Sequence, residues 1–241
     1  MATPRKISPA SWVGCGCASI FTLVMLTIVA FTVSSYRANQ SFRDGMKEPV
    51  SRRASFAAVL PHGELPAGYR PLGGMRVPGV IQMALLADAT PDQPPPARVR
   101  SAFFFVSMRN WFGRKDKLEE AYREGGQGIE QEEVEFEVRE ELARGSLEIA
   151  PAEVLYYARR GPLKITQKEF GFPEEEMTEA TPGLATMMLI DCPDGLLRVG
   201  LWFVPDPQPE TPSANADWSG TPADPAALRK FLSSFDLCQD G

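Results

Sequence analysis

The residues able to do chemistry in this 241-residue chain are few: one histidine, four cysteines and a surplus of carboxylates. A catalytic zinc site draws on at least two histidines with a carboxylate or two thiolates, so a lone His62 removes most such constellations along with most Ser-His-Asp relays. His62 lies in the loop sequence Pro-His-Gly-Glu. It reads as an exposed loop histidine, because a general base needs a neighbouring nucleophile that the sequence does not locate.

Cys192 and Cys238 allow three readings: a disulfide, two buried thiols, or one reactive thiol. The disulfide is favoured, and it would close a 46-residue loop, for which chain entropy gives about 4 kcal/mol. No Cys-x-x-Cys points to thiol-disulfide exchange. Cys15 and Cys17 open an apolar run, where they read as small packing residues rather than a lipoprotein site, with S-acylation the lesser alternative.

Glu130–Glu141 alternates carboxylates with Val134, Phe136 and Val138. Residues i and i+2 of a strand lie about 6.5–7 Å apart. A calcium ion takes about six to eight oxygens at 2.3–2.6 Å from a curved loop, so a solvated strand face is the better reading. A carboxylate pair for glycoside hydrolysis is conceivable, but separation in space is invisible in sequence. The glycine clusters at 73–74 and 125–128 match no phosphate-binding loop. Arg52-Arg53-Ala54-Ser55 has the form of a basophilic kinase site and Asn39-Gln40-Ser41 that of a glycosylation acceptor; both read as chance. No catalytic, cofactor or metal residue is therefore assigned, and the loop aromatics Trp111, Phe112 and Trp218 are the candidates for interface or ligand contact.

These groups sit on a chain with a distinct beginning. No charged residue occurs from Ile7 to Tyr36, and Trp12–Val33 is apolar over 22 residues. At about 1.5 Å per residue this spans a hydrocarbon core of about 30 Å. The domains expected are a short tail (1–11), a transmembrane helix (12–33), a basic juxtamembrane tether (34–58) and an α+β domain (59–241). Arg37, Arg43, Lys47, Arg52 and Arg53 follow the apolar run, whereas Arg5 and Lys6 precede it. Counting positives places the following domain in the cytoplasm. A cysteine pair in a non-metal context, and one large domain behind an amino-terminal signal anchor, place it outside. The second placement, periplasmic or extracellular, is adopted.

Val80–Ala87 and Val99–Met108 read as strands, Asp116–Glu124 as a short helix, and Glu132–Glu140, Ser146–Ile149, Glu153–Ala158 and Leu163–Lys168 as strands of a meander. Leu184–Asp191 and Leu196–Val204 flank Cys-Pro-Asp-Gly and form a hairpin. Asp224 caps a closing helix that starts at Pro225 and carries Leu228, Phe231, Leu232 and Phe235 on one stripe. Leu60–Gly79, rich in proline and glycine, reads as an irregular lead-in. The fold class is α+β: a mainly antiparallel twisted sheet of six to eight strands with two helices, one at the C-terminus.

The formal charge of −6 makes nucleic acid a poor partner. The expected partners are the lipid bilayer and an envelope protein or a small ligand, with no cofactor. The leading expectation is a single-pass membrane protein presenting a non-catalytic binding or assembly domain outside the cytoplasm. The alternatives are a membrane-bound hydrolase using Asp and Glu, and a cytoplasm-facing scaffold regulated through the tether at Ser55.

Overall fold

The computed structural model describes residues 48–88, 100–110, 114–124, 140–163 and 181–239, with Val33, Tyr36, Arg37 and Gln40 before them. Two compact units divide the chain, Met1–Gln40 and Ser41–Gly241. The four described residues of the first unit are helical. Among the described residues no helix is long and apolar enough to cross a membrane; residues 12–32 lie outside them.

The second unit is built on one seven-stranded antiparallel sheet: β1 (Arg70–Val77), β2 (Ile81–Ala87), β3 (Ala102–Met108), β4 (Glu140–Ile149), β5 (Ala152–Leu163), β6 (Thr181–Asp191) and β7 (Leu197–Pro205), in the spatial order β1-β2-β3-β7-β6-β5-β4. Two meanders, β1–β3 and β4–β7, join where β3 pairs with β7. The strands apolar on both faces, β3, β6 and β7, therefore lie in the middle, as expected of strands covered on both sides. Three helices accompany the sheet: α1 (Pro49–Ala57), α2 (Arg114–Glu124) and α3 (Pro225–Leu232).

Alternation along the central strands sends Phe103, Phe105, Met188, Ile190 and Trp202 into the main core, with Phe56 of α1 and Leu228, Phe231 and Leu232 of α3. Phe104, Leu201 and Phe203 pack on the opposite face, where Tyr122 of α2 meets Tyr157, Leu189 and Leu197. The closing helix forms as its sequence implies. Asp224 accepts from the backbone N–H of Ala226 at 2.9 Å and of Gly220 at 3.0 Å, and Pro225 takes the first turn, where its missing N–H costs nothing. Phe231 stacks on Trp202 at 4.1 Å between centroids. The helix ends at Leu232, so Phe235 lies beyond it, pairing with His62 in an isolated antiparallel bridge.

Three expectations are corrected. Among the described residues of the sheet unit there are three α-helices, because Pro49–Ala57, read as tether, is helical and packs on β1, with Phe56 at 0% exposure. The lead-in read as irregular contains β1. Its breakers are tolerated because β1 is an edge strand: Pro71 needs no second ladder partner, and the register shifts between Pro71 and Gly73. Gly74 is required for another reason, since a Cβ there would lie 2.2 Å from the Ser55 carbonyl oxygen. Lastly, Gly161 and Pro162, read as boundaries, run inside β5, and β4 begins at Glu140, well before Ser146. The expected strand over 132–140 falls outside the described residues except for Glu140, as does most of 163–168 and all of 125–128.

The α1–β1 contact gives a direct test. Gly74→Ala should cost about 1–3 kcal/mol, the usual range for overpacking, because the obstacle is backbone rather than a flexible side-chain end. A urea midpoint lowered to that extent, with faster amide exchange confined to Pro49–Leu60, would bear this out; an unchanged midpoint would show that α1 yields without cost.

Candidate functional site

The cysteine pair forms a disulfide between the β6–β7 turn and the C-terminal segment, with Cα atoms 5.5 Å apart. Cys192 is buried at 3% exposure and Cys238 packs against the same core. Beside it runs an open groove of about 610 Å³ lined by Pro61, His62, Pro151, Ser234, Asp236 and Cys238, among others. The Nδ1 of His62 lies 2.9 Å from the Gly63 carbonyl oxygen. A carbonyl can only accept, so Nδ1 is the donor in this contact. Among the described residues, however, His62 has no side-chain hydrogen bond to Ser234 or Asp236. Those two segments meet through backbone instead, with the Gly63 N–H donating to the Ser234 carbonyl and the Asp236 N–H to that of Pro61. His62 sits 5.5 Å from the Phe56 ring, a packing contact.

A second depression, of about 360 Å³, is lined by Glu140, Arg160, Gly161, Pro162, Pro182, Asp206 and Pro209. Its centre is a cluster that sequence reading missed. Arg160 donates through Nε to Asp206 Oδ2 at 2.6 Å, through Nη1 to the Thr211 carbonyl at 2.8 Å and Ser213 Oγ at 2.9 Å, and through Nη2 to the carbonyls of Gln208 at 2.7 Å and Pro209 at 3.1 Å. A guanidinium has five N–H groups, and all five are committed here. Asp206 also accepts from the Gln208 N–H, and Glu140 from the Ser213 hydroxyl. The arrangement fixes the proline-rich loop after β7 and leaves Arg160 no donor for a ligand. Trp218 belongs to the same cluster, its ring 5.3 Å from the Arg160 guanidinium; it is half-buried and engaged by the fold. Trp111 and Phe112 lie outside the described residues.

The other predicted groups have local partners. Glu141 pairs with Arg144 at 2.7 Å. The Ser55 hydroxyl donates to the Arg52 carbonyl and accepts from the Gly74 N–H, so it is a joint between α1 and β1. Arg109 is exposed at the end of β3. Among the described residues no group of three His, Cys, Asp or Glu side chains is placed to hold a metal ion.

Arg198, 1% exposed within the apolar β7, makes a bidentate pair with Asp194 of the hairpin turn at 2.6 and 2.5 Å. Hydrogen bonding from this guanidinium holds the Asp194 carboxyl below its ordinary 3.8. A lowered folded pKa means that the stabilisation is complete above the unfolded value and is lost as the pH falls through the folded one. Asp194→Asn should therefore cost about 1–2 kcal/mol near neutral pH, the lower part of the range for a charged hydrogen bond because the carboxylate is one-third exposed. Its stability should also fall less steeply than the parent's below about pH 4. Parallel acid titrations of the two proteins in fixed urea check both.

Among the described residues the buried Tyr122 hydroxyl has no hydrogen-bond partner, and burial pushes its pKa upward, partly offset by the charge of Arg159. Tyr122→Phe removes an unsatisfied group, so it should be neutral or stabilise by about 1 kcal/mol. Destabilisation in thermal melts would reveal a partner for the phenol.

Charge and hydrogen bonding in both depressions are thus largely turned inward, to the disulfide-pinned terminus in one and the Arg160-centred loop in the other. No protein-family model matches the chain, and neither a curated protein nor a solved structure matches it.

Proposed function

We propose that this is a single-pass membrane protein, anchored through residues 12–33, whose seven-stranded domain lies outside the cytoplasm and acts by binding or assembly rather than catalysis. The observation that carries the reading is the Cys192–Cys238 bridge, since a structural disulfide is at home in an oxidising compartment. The five committed N–H groups of Arg160 and the bidentate Arg198–Asp194 pair support a framework role for the domain's polar groups.

The test is protection from a membrane-impermeant protease in sealed cells whose outer barrier has been opened. Because Pro49–Ala57 is helical and packed, cleavage is expected ahead of it, between Arg37 and Lys47. Cutting without detergent supports an outside domain; protection until detergent is added overturns it.

A hydrolase working through Asp and Glu is the second reading, favoured by the cleft of about 360 Å³ that Glu140 and Asp206 share. Against it, both carboxylates already accept hydrogen bonds from the loop they hold. Loss of a measured hydrolytic activity in Glu140→Gln, with the fold unchanged, would revive it. Regulation at Ser55 draws little support from a hydroxyl already joining two backbone groups.

A further inference from the structure

Charge is divided unevenly along the chain. Residues 1–77 hold nine of the 25 Lys and Arg but three of the 31 Asp and Glu, a formal +6, while the remaining 164 residues carry −12. Within residues 48–77 the basic residues are Arg52 and Arg53 on α1 and Arg70 and Arg76 on the edge strand β1, two elements joined by the Ser55–Gly74 bond. Asp44, Glu48 and Glu64 are the acidic residues of 1–77, and Glu48 and Glu64 those of 48–77. Helix α1 also leaves Val50 79% exposed. Val50, Arg53 and Ala54 are exposed at i, i+3 and i+4, neighbours on one face, while Phe56 enters the core.

We propose that this α1–β1 edge seats on the anionic lipid surface of the membrane that holds residues 12–33, with Val50 entering the headgroup layer and Arg53 meeting lipid phosphates. The proposal rests on the anchored reading above. Fifteen residues separate Val33 from Pro49, and at most about 3.3–3.6 Å each they keep α1 within about 50 Å of the bilayer. The anchor thus supplies a high local concentration, and charge selects the orientation. The basic edge is attracted to anionic lipid and the acidic remainder is repelled, over a Debye length of about 8 Å at physiological salt. An exposed aliphatic beside arginine on one helix face is the composition that favours a membrane interface.

The test is amide exchange over Pro49–Ala57 and Arg70–Val77 in the full chain reconstituted into vesicles of phosphatidylcholine alone or of equal parts phosphatidylcholine and phosphatidylglycerol. Exchange should be roughly fivefold slower in the anionic vesicles, and the difference should vanish in about 1 M salt, where the Debye length is about 3 Å. Val50→Asp with Arg53→Glu should abolish the difference, and Arg53→Gln alone should reduce it; both positions are exposed, and matching thermal midpoints check the fold. Equal exchange in both vesicles, with the chain still resistant to alkaline carbonate, overturns the docking and leaves the anchor standing. Carbonate extraction of the chain overturns the anchored reading and the docking with it. Equal slowing by inorganic phosphate with phosphatidylcholine vesicles overturns the bilayer as the occupant, and variants that keep the lipid difference overturn the surface.

Discussion

Replacing Cys192 and Cys238 together by alanine is expected to destabilise the domain by about 4 kcal/mol, the chain-entropy value for a 46-residue loop. For a domain near 200 residues each kcal/mol moves Tm by about 2–4 °C, so the midpoint should fall by roughly 8–16 °C. The bridge ties two segments far apart in sequence: the turn after β6, and the chain after α3 that brings Phe235 and Leu237 into the same core as Ile190. Without it the terminus is held by Phe235, Leu237 and two backbone bonds to residues 61–63. The loss should therefore show first as faster exchange of Phe235–Gln239 and of Gly63, before the sheet is affected. A fall below about 1 kcal/mol would mean that the unfolded chain gains little freedom when the link is cut. The same experiment bears on location, since a domain that loses this much on reduction is poorly suited to a reducing compartment.

What could be read in advance follows from the range over which each signal acts. The closing helix is announced within twelve residues by Asp224, Pro225 and the stripe Leu228, Phe231, Leu232, and the central hairpin by Cys-Pro-Asp-Gly with Gly195 at φ +71°. Both are decided by local backbone chemistry. Helix α1 carries only one such mark, Pro49 in its first turn: Glu48 provides no side-chain cap, and its single buried residue is Phe56. It owes its place to β1, where Gly73 and Gly74 look like breakers until the neighbouring helix is known. The site residues divide the same way. A cysteine pair restricts its own partners, because only two cysteines follow the apolar run. Arg160 has no such restriction, as its acceptors lie 46 to 53 positions away in a loop without periodicity. Trp218 was legible as a loop aromatic, but its ring is taken up by Arg160 and by the fold.

That cluster carries the second large expectation. Arg160→Met is expected to cost about 3–5 kcal/mol, the range for removing one partner of a buried ion pair. The Asp206 side chain is fully buried and that of Arg160 is 14% exposed, so among the described residues the carboxylate left behind keeps only the Gln208 N–H as a donor. The carbonyls of Pro209 and Thr211 lose the Arg160 donor as well, that of Gln208 keeps the Thr211 N–H, and the loop of 205–224 is expected to open to proteolysis around residues 207–212. Adding Asp206→Leu distinguishes the two contributions. If the cost is mainly the uncompensated charge, the double variant regains more than half of the lost stability, as buried pairs replaced by apolar residues often do. If it is mainly the loop carbonyls, the double variant stays as unstable as the single one and equally prone to cleavage. Five donors converge on four loop residues and Asp206, so recovery of stability without recovery of protease resistance is the result expected. Arg160 would then hold the loop through its carbonyl contacts, with Asp206 serving to neutralise a guanidinium that must lie indoors to reach them.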